Sequence, residues 1–291
     1  TTNLMSRIWS VPEAAATIRI ELLMRTGLVI SDAEGWSFLS DEVASQWTDT
    51  MDEGDQTELH ARIGTILRVQ ARFAMADVSR TDTGVDVTET WSESRHRDHT
   101  RGLRLESLWT TARHFAAARR HGDAAEAAVT FVEGLFTEAG VPGLLLSHQG
   151  RHRDRERRHR LYAALTEAEA QLALAERRPS VDNLNASLSS IRVRLLTVRS
   201  RFKAVMGDFA EARGTAEMAR VLANGIEKSE VSLEALRVQL EVCYASGDTN
   251  AARAALVQML DALSNAPKNQ ALPIYVWLSE AFAKWEWPGL H

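Results

Sequence analysis

The feature that most constrains this chain is a short phrase that occurs three times. The segments RRHGDAAEAA (residues 119–128), AVMGDFAEAR (204–213) and YASGDTNAAR (244–253) each carry Gly-Asp, with Ala four or five residues after the Gly. Gly readily takes the left-handed conformation that ends a helix. Asp accepts from the free N–H groups of a new first turn and suits its positive end. A small Ala one turn later lets two helices approach closely. Each copy therefore predicts one helix ending and another beginning within a few residues. Gly207 and Gly247 are 40 residues apart, and Gly122 and Gly207 are 85 apart, which leaves room for two units with a degenerate joint at 178–182. Periods of this length mark stacked helix pairs.

The rest of the chain agrees with a mainly α fold. Only 6 Pro and 16 Gly occur among 291 residues, which favours long helices over strands and turns. Apolar spacing predicts helices at 12–26, 55–76, 103–121, 123–139, 153–177, 183–206, 208–224, 229–246 and 249–264, and a last one from 273 to about 287. The expected buried face of the first is Ile18, Leu22, Leu23 and Met24; that of the second is Leu59, Ile63, Ile66, Leu67 and Phe73. Pro267 and Pro273 are expected to bracket a loop, and Gly140-Val141-Pro142-Gly143 to break the chain. Near the N-terminus, Leu28-Val29-Ile30 and Trp36-Ser37-Phe38-Leu39 are β-prone runs around a turn at 32–35, predicting one short β-hairpin. A further helix is expected from Asp41 through Trp47. The polar stretch 77–98 reads as a joint with a short helix near Trp91. The expected organisation is a small unit over 1–76, a joint over 77–99 and helical repeats over 100–291.

Several function classes find no support. Cys243 is the single cysteine, which removes an internal disulfide framework and points to a reducing, cytoplasmic compartment. No long apolar run suggests a membrane partner, and no basic-then-apolar leader opens the chain. GxSxG, HExxH and GxxxxGK[ST] are all missing. His96, Asp98 and His99 cluster, and His152 and His159 lie seven apart, but neither set supplies the converging ligands zinc needs. We therefore expect no catalytic residues, no metal and no cofactor.

Charge is distributed unevenly. Residues 1–60 carry eleven acids, whereas RHRDRERRHR (151–160) holds six Arg and two His. The segment 186–206 carries Arg192, Arg194, Arg199, Arg201 and Lys203 with no acid. Its apolar seam is Leu188, Ile191, Leu195, Val198, Phe202 and Val205, with Arg192 and Arg199 on one side and Arg194 and Arg201 on the other. Two readings stand side by side. These five cations line a groove for phosphates, nucleic acid or an acidic peptide, or their stems cover apolar surface while their heads pair with acids on adjacent helices. Trp277, Trp285 and Trp287 crowd the C-terminal end, an aromatic surface normally covered by a following repeat or a partner.

Two resemblances follow from these residues. The Gly-Asp units resemble tetratricopeptide repeats: Ala212 and Ala252 match the small residue of the family's second helix, and Phe202 and Cys243 fall near its first-helix aromatic. The early Trp and terminal Pro of that family are missing. The segment LLMRTGLVISDAEGWSFLSDEV (22–43) is similar to the winged helix of STAND and NB-ARC signalling ATPases, in which a nucleotide-binding domain precedes the wing and a helical sensor follows. At the family's Met-His-Asp triplet this chain has Leu39-Ser40-Asp41, so Asp41 is the position that resemblance places near nucleotide. Together they imply an irregular tetratricopeptide-like α-solenoid behind a winged-helix-like unit. The function implied is a regulatory module that binds a protein or peptide beside a neighbouring nucleotide-binding domain. The alternative is a nucleic-acid-associated regulator using the wing and the basic helices.

Overall fold

The computed structural model describes residues 2–26, 29–31, 36–38, 50–81, 105–138, 151–177, 185–226 and 229–284. It is mainly helical. The elements are α1 (Thr2–Trp9), α2 (Glu13–Arg25), β1 (Val29–Ser31), β2 (Trp36–Phe38), α3 (Glu53–Thr81), α4 (105–117), α5 (His121–Glu138), α6 (Arg151–Arg177), α7 (Asn185–Val205), α8 (Phe209–Ala223), α9 (Ser229–Ala245), α10 (Thr249–Asn265) and α11 (Lys268–Lys284). The β1 and β2 backbones pair antiparallel, with Val29 opposite Phe38 and Ser31 opposite Trp36. Gly27, the turn at 32–35, the helix expected from Asp41, the residues 82–100, the break at 140–143, the joint at 178–182 and Trp285 and Trp287 lie outside the described residues.

Helices α6 to α10 begin and end within two residues of the sequence expectation. Three other places differ. Helix α1 was not anticipated. Helix α3 continues through Thr81, into the stretch expected to be a joint. Helix α11 starts at Lys268 and carries Pro273 inside it, where a loop was expected. Pro267 is the reason: its carbonyl accepts from Gln270 N–H at 2.9 Å and Ala271 N–H at 3.0 Å, opening the helix early. Pro273 then falls near the end of the first two turns, where the missing N–H costs a single helical hydrogen bond.

Two of the three Gly-Asp joints have one construction. Gly207 (φ +82°) and Gly247 (φ +75°) adopt the left-handed conformation. Gly207 and Asp208 N–H donate back to Ala204 and Lys203 carbonyls, and Gly247 and Asp248 N–H to Tyr244 and Cys243 carbonyls, all at 3.0–3.1 Å. The Asp208 carboxylate then accepts from Glu211 N–H, and that of Asp248 from Ala251 N–H. The third joint is built three residues earlier than its Gly-Asp. Arg119 is the left-handed residue (φ 57°), and Arg119 and Arg120 N–H donate to Ala116 and Phe115 carbonyls at 3.0 and 2.8 Å. Gly122 and Asp123 sit inside the first turn of α5. The hydrogen bonding aligns Ala124 with Ala212 and Ala252: each N–H donates to the carbonyl of the residue that opens its helix, and all three are fully buried.

The chain divides into two compact units, Thr1–Ala127 and Ala128–His291. In the first, Ile8, Ala16 and Ile20 are buried where α1 and α2 pack, and the Arg19 guanidinium lies over the Trp9 ring. Ile18, Leu22 and Met24 are exposed, so the buried face of α2 runs through Ala16 and Ile20 instead of the expected residues. Helix α3 meets α4 at Gly64, where an added Cβ would come within 2.8 Å of the Phe115 ring. Arg68 and Arg120 lie 5.1 and 4.8 Å over that ring and both bond Asp123.

In the second unit, Leu188, Ile191, Leu195, Val198 and Phe202 of the predicted α7 seam are buried. The Phe202 ring stands 6.4 Å from Tyr162 of α6. The other side of α7 packs on the helices that follow. Val193 clusters with Ala219 and Ala223 of α8 and Ala235 of α9; Ala204 clusters with Ala212, Val238 and Val242. The buried Ser200 hydroxyl donates to the Ala212 carbonyl at 2.7 Å. Helix α9 repeats this arrangement: Leu233, Leu236, Leu240 and Cys243 pack with Ala252, Ala255, Met259 and Leu263 of α10 and Ala271, Ile274 and Leu278 of α11.

A left-handed residue with a Cβ costs about 1–2 kcal/mol relative to Gly. Gly207→Ala is expected to lower unfolding free energy by about 1 kcal/mol, and Arg119→Gly to raise it by a similar amount, since the exposed Arg119–Glu53 pair contributes little. Urea denaturation of the two variants checks both signs.

Candidate functional site

The five cations of α7 all face carboxylates on other helices. Arg192 pairs with Glu176 of α6, and Arg194 with Glu133 of α5 through Nε at 2.9 Å while also donating to Thr130. Arg199 reaches Glu169 of α6 at 2.7 Å and Glu211 of α8 at 3.4 Å. Lys203 bonds Glu211 at 2.6 Å. Arg201 is different in kind. Its side chain is 7 % exposed, and its partner Glu241 on α9 is 4 % exposed. Nε and Nη2 of Arg201 donate to the two Glu241 oxygens at 2.8 and 3.2 Å, and Nη1 donates to Glu234 at 2.8 Å. Arg237 closes the cluster by donating to Glu241 at 3.2 Å and pairing with Glu234 at 3.3 Å.

Burial alone would lower the Arg201 pKa, but the Glu241 and Glu234 charges outweigh it and hold the guanidinium above its ordinary value. Burial likewise works against the Glu241 charge, and Arg201 and Arg237 overcome it, so that carboxyl stays below the usual range. The cluster is therefore ionised on both sides and internally neutralised.

The other sequence candidates distribute as follows. Asp41 lies outside the described residues. Of the basic run 151–160, the backbone forms the start of α6, and Arg160 lies 5.8 Å over the Phe131 ring. Cys243 is buried in the α9–α10 packing; burial, followed by the Asp248 carboxylate, pushes its thiol up. Such a thiol packs well and attacks poorly. Among the described residues no group of three or more His, Cys, Asp or Glu gathers as a metal site. No described helix is long and apolar enough to cross a membrane. A shallow cleft of about 360 Å³ is lined by Glu176, Leu188, Arg192, Leu222 and Ile226, and the Arg192–Glu176 pair already uses its charges.

Two features were not read from the sequence. His60 of α3 and His114 of α4 meet Nδ1 to Nδ1 at 2.8 Å, with ring centroids 5.0 Å apart. The two residues are 54 apart in sequence, so no local pattern announces the pair. On α11, Leu272, Tyr275 and Val276 are exposed on one strip. That strip adjoins half-buried Trp277, whose ring carries Arg237 at 5.1 Å. The aromatic end noted in the sequence is thus partly used within the fold, and its aliphatic neighbours face outward. No protein-family model, curated protein or solved structure matches the chain.

Two outcomes follow from these charges. Glu241→Gln leaves a buried guanidinium short of its counter-charge and is expected to cost about 3–5 kcal/mol. Glu176→Gln, at a surface pair, is expected to cost no more than about 1 kcal/mol. Chemical denaturation separates the two. For the histidines, burial first, then His60 and Arg113, lowers the His114 pKa below its ordinary 6.5. The unfolded chain therefore takes up the proton first as pH falls. Stability is full above the unfolded value and is lost as pH drops from about 6.5 toward the folded one. Denaturation midpoints between about pH 7.5 and 5 should fall in the parent and flatten in His114→Asn.

Proposed function

We propose that this chain is a regulatory module that binds a protein or peptide. In this reading it is an irregular tetratricopeptide-like α-solenoid behind a winged-helix-like unit, with no catalysis of its own. The observation that carries the reading is the repetition of one construction at an interval of 40 residues. Gly207-Asp208 and Gly247-Asp248 share conformation and capping, and the buried Arg201–Glu241 bond joins α7 to α9 across the same interval. Each such unit needs a neighbour to cover its apolar side, and stacks of this kind present extended surfaces suited to binding. In this reading a nucleotide-binding domain is the responsive partner beside the module, as the resemblance of residues 22–43 to the wing of signalling ATPases implies.

The charge pairing favours a protein or peptide over nucleic acid. Binding to phosphates needs cations whose neutralising partners are counterions that leave. Arg192, Arg194, Arg199, Arg201 and Lys203 are instead neutralised by carboxylates of the chain itself. Selection of a displayed peptide library against the intact protein tests the reading. Saturable binders that compete with one another and persist in high salt are expected. Random DNA and RNA oligonucleotides should show no anisotropy change at about 50 mM salt. Oligonucleotide binding that weakens steeply with added salt, without any peptide binder, replaces this reading with nucleic-acid association.

A further inference from the structure

Helices α7, α9 and α11 share one phase. On α9 the side facing the preceding helices is Ala235, Val238 and Val242. The side facing the following helices is Leu233, Leu236 and Leu240, each two residues earlier. Two residues are about 200° around a helix, so these are opposite faces. The same offset on α7 relates Leu195, Val198 and Phe202 to Val193, Leu196 and Ser200. On α11 the side facing the preceding helices is Ala271, Ile274 and Leu278. Two residues earlier stand Asn269, Leu272 and Val276. Leu272 and Val276 thus hold the positions of Leu236 and Leu240. Leu236 and Leu240 are 8 % and 0 % exposed, whereas Leu272 and Val276 are 63 % and 50 % exposed, with Tyr275 beside them at 46 %.

What covers the equivalent face is visible on α9. It is α10, a helix that reverses through Gly247-Asp248 and offers Ala252, Ala255, Met259 and Leu263. The two Ala let the backbones approach, while Met259 and Leu263 fill the space beside Leu236 and Leu240. We propose that Leu272, Tyr275 and Val276 of α11 form a docking strip for an amphipathic helix of another polypeptide, one that carries small and then larger apolar residues at the spacing of Ala252, Ala255, Met259 and Leu263. This proposal rests on the partner-binding reading above and names the kind of partner. The occupant runs antiparallel to α11, as α10 does to α9. Its C-terminal end, the negative end of its dipole, then lies near exposed Lys268. Ser279 within the strip brings no charge, and exposed Glu280 at its far end faces the positive N-terminal end of an antiparallel helix.

The probe is a fluorescent peptide of the α10 sequence, Thr249–Asn265, stapled across exposed positions 254 and 258 to hold it helical. Anisotropy against the intact protein is expected to show saturable, salt-insensitive binding. Leu272→Glu and Val276→Glu should each weaken it at least tenfold, while Met218→Glu, an exposed apolar site on α8, leaves it unchanged. Thermal melts of the two α11 variants should match the parent, because the replaced side chains are exposed. Absence of binding, or binding indifferent to Leu272→Glu, overturns the proposal. So does a concentration-dependent dimer that disappears in Leu272→Glu, which makes a second copy the occupant. If displayed peptides still bind the protein while the α10 peptide does not, the docking strip fails and the partner-binding reading stands.

Discussion

The structure of the second unit depends on a reversal of direction completed in two residues. A left-handed Gly turns the chain, its N–H and the next satisfy carbonyls of the finished helix, and the following Asp satisfies an N–H of the new one. Both helix ends are thus closed without a loop. With so short a connection, the second helix must lie against the first, and its fourth residue meets the first helix's flank. That residue is Ala212 or Ala252, fully buried in each case. A larger side chain there would hold the helices apart and loosen every contact beyond it. The joint fixes helix phase, and helix phase fixes which face meets the next pair.

Between pairs, the device is different. α7 and α9 are not connected directly, and their register is held by Arg201 and Glu241 with Glu234 and Arg237 around them. Apolar packing through Val193, Ala204, Ala235 and Val238 would tolerate some sliding, because small side chains leave shallow grooves. A bidentate Arg–carboxylate bond does not. Such a cluster adds less stability than its hydrogen bonds suggest, since removing the Arg201 and Glu241 charges from water opposes it. Its contribution is to penalise every other register, where these charges would be buried without partners.

Much of this was legible in the sequence because the signals are local. The α7 seam from Leu188 to Phe202 follows helical spacing, and the joints at 207 and 247 use residue types with few alternatives. The third joint was placed three residues late because its left-handed residue is Arg119, which no propensity singles out. Gly122 and Asp123 nearby imitate the motif without forming it. The α2 face was misread for a related reason. Ile18, Leu22 and Met24 are the larger side chains, but small Ala16 with Ile20 is the pair that packs. The α7 cations were visible as a cluster, but their carboxylate partners lie up to 61 residues away. Only the fold shows that they are paired.

The least legible element is the forward face of each odd-numbered helix from α7 to α11. On α7 it consists of Val193, Ser200 and Ala204, which a hydrophobicity pattern ranks below the seam behind them. On α9 the same face is Leu233, Leu236 and Leu240, and on α11 Leu272 and Val276. The apolar character of this face therefore rises from α7 to α9 and is partly kept on α11, where Asn269 stands in the place of Leu233. Ser200 uses its hydroxyl to bond a backbone carbonyl of α8, which is possible only where the helices are already close. Leucine at the corresponding site of α9 relies on volume and suits the Ala-rich side of α10. Leu272 and Val276 continue that second design. A face specified by bulk accepts any helix with a matching row of small residues, whereas the α7 face, specified by a hydrogen bond, accepts only its own neighbour.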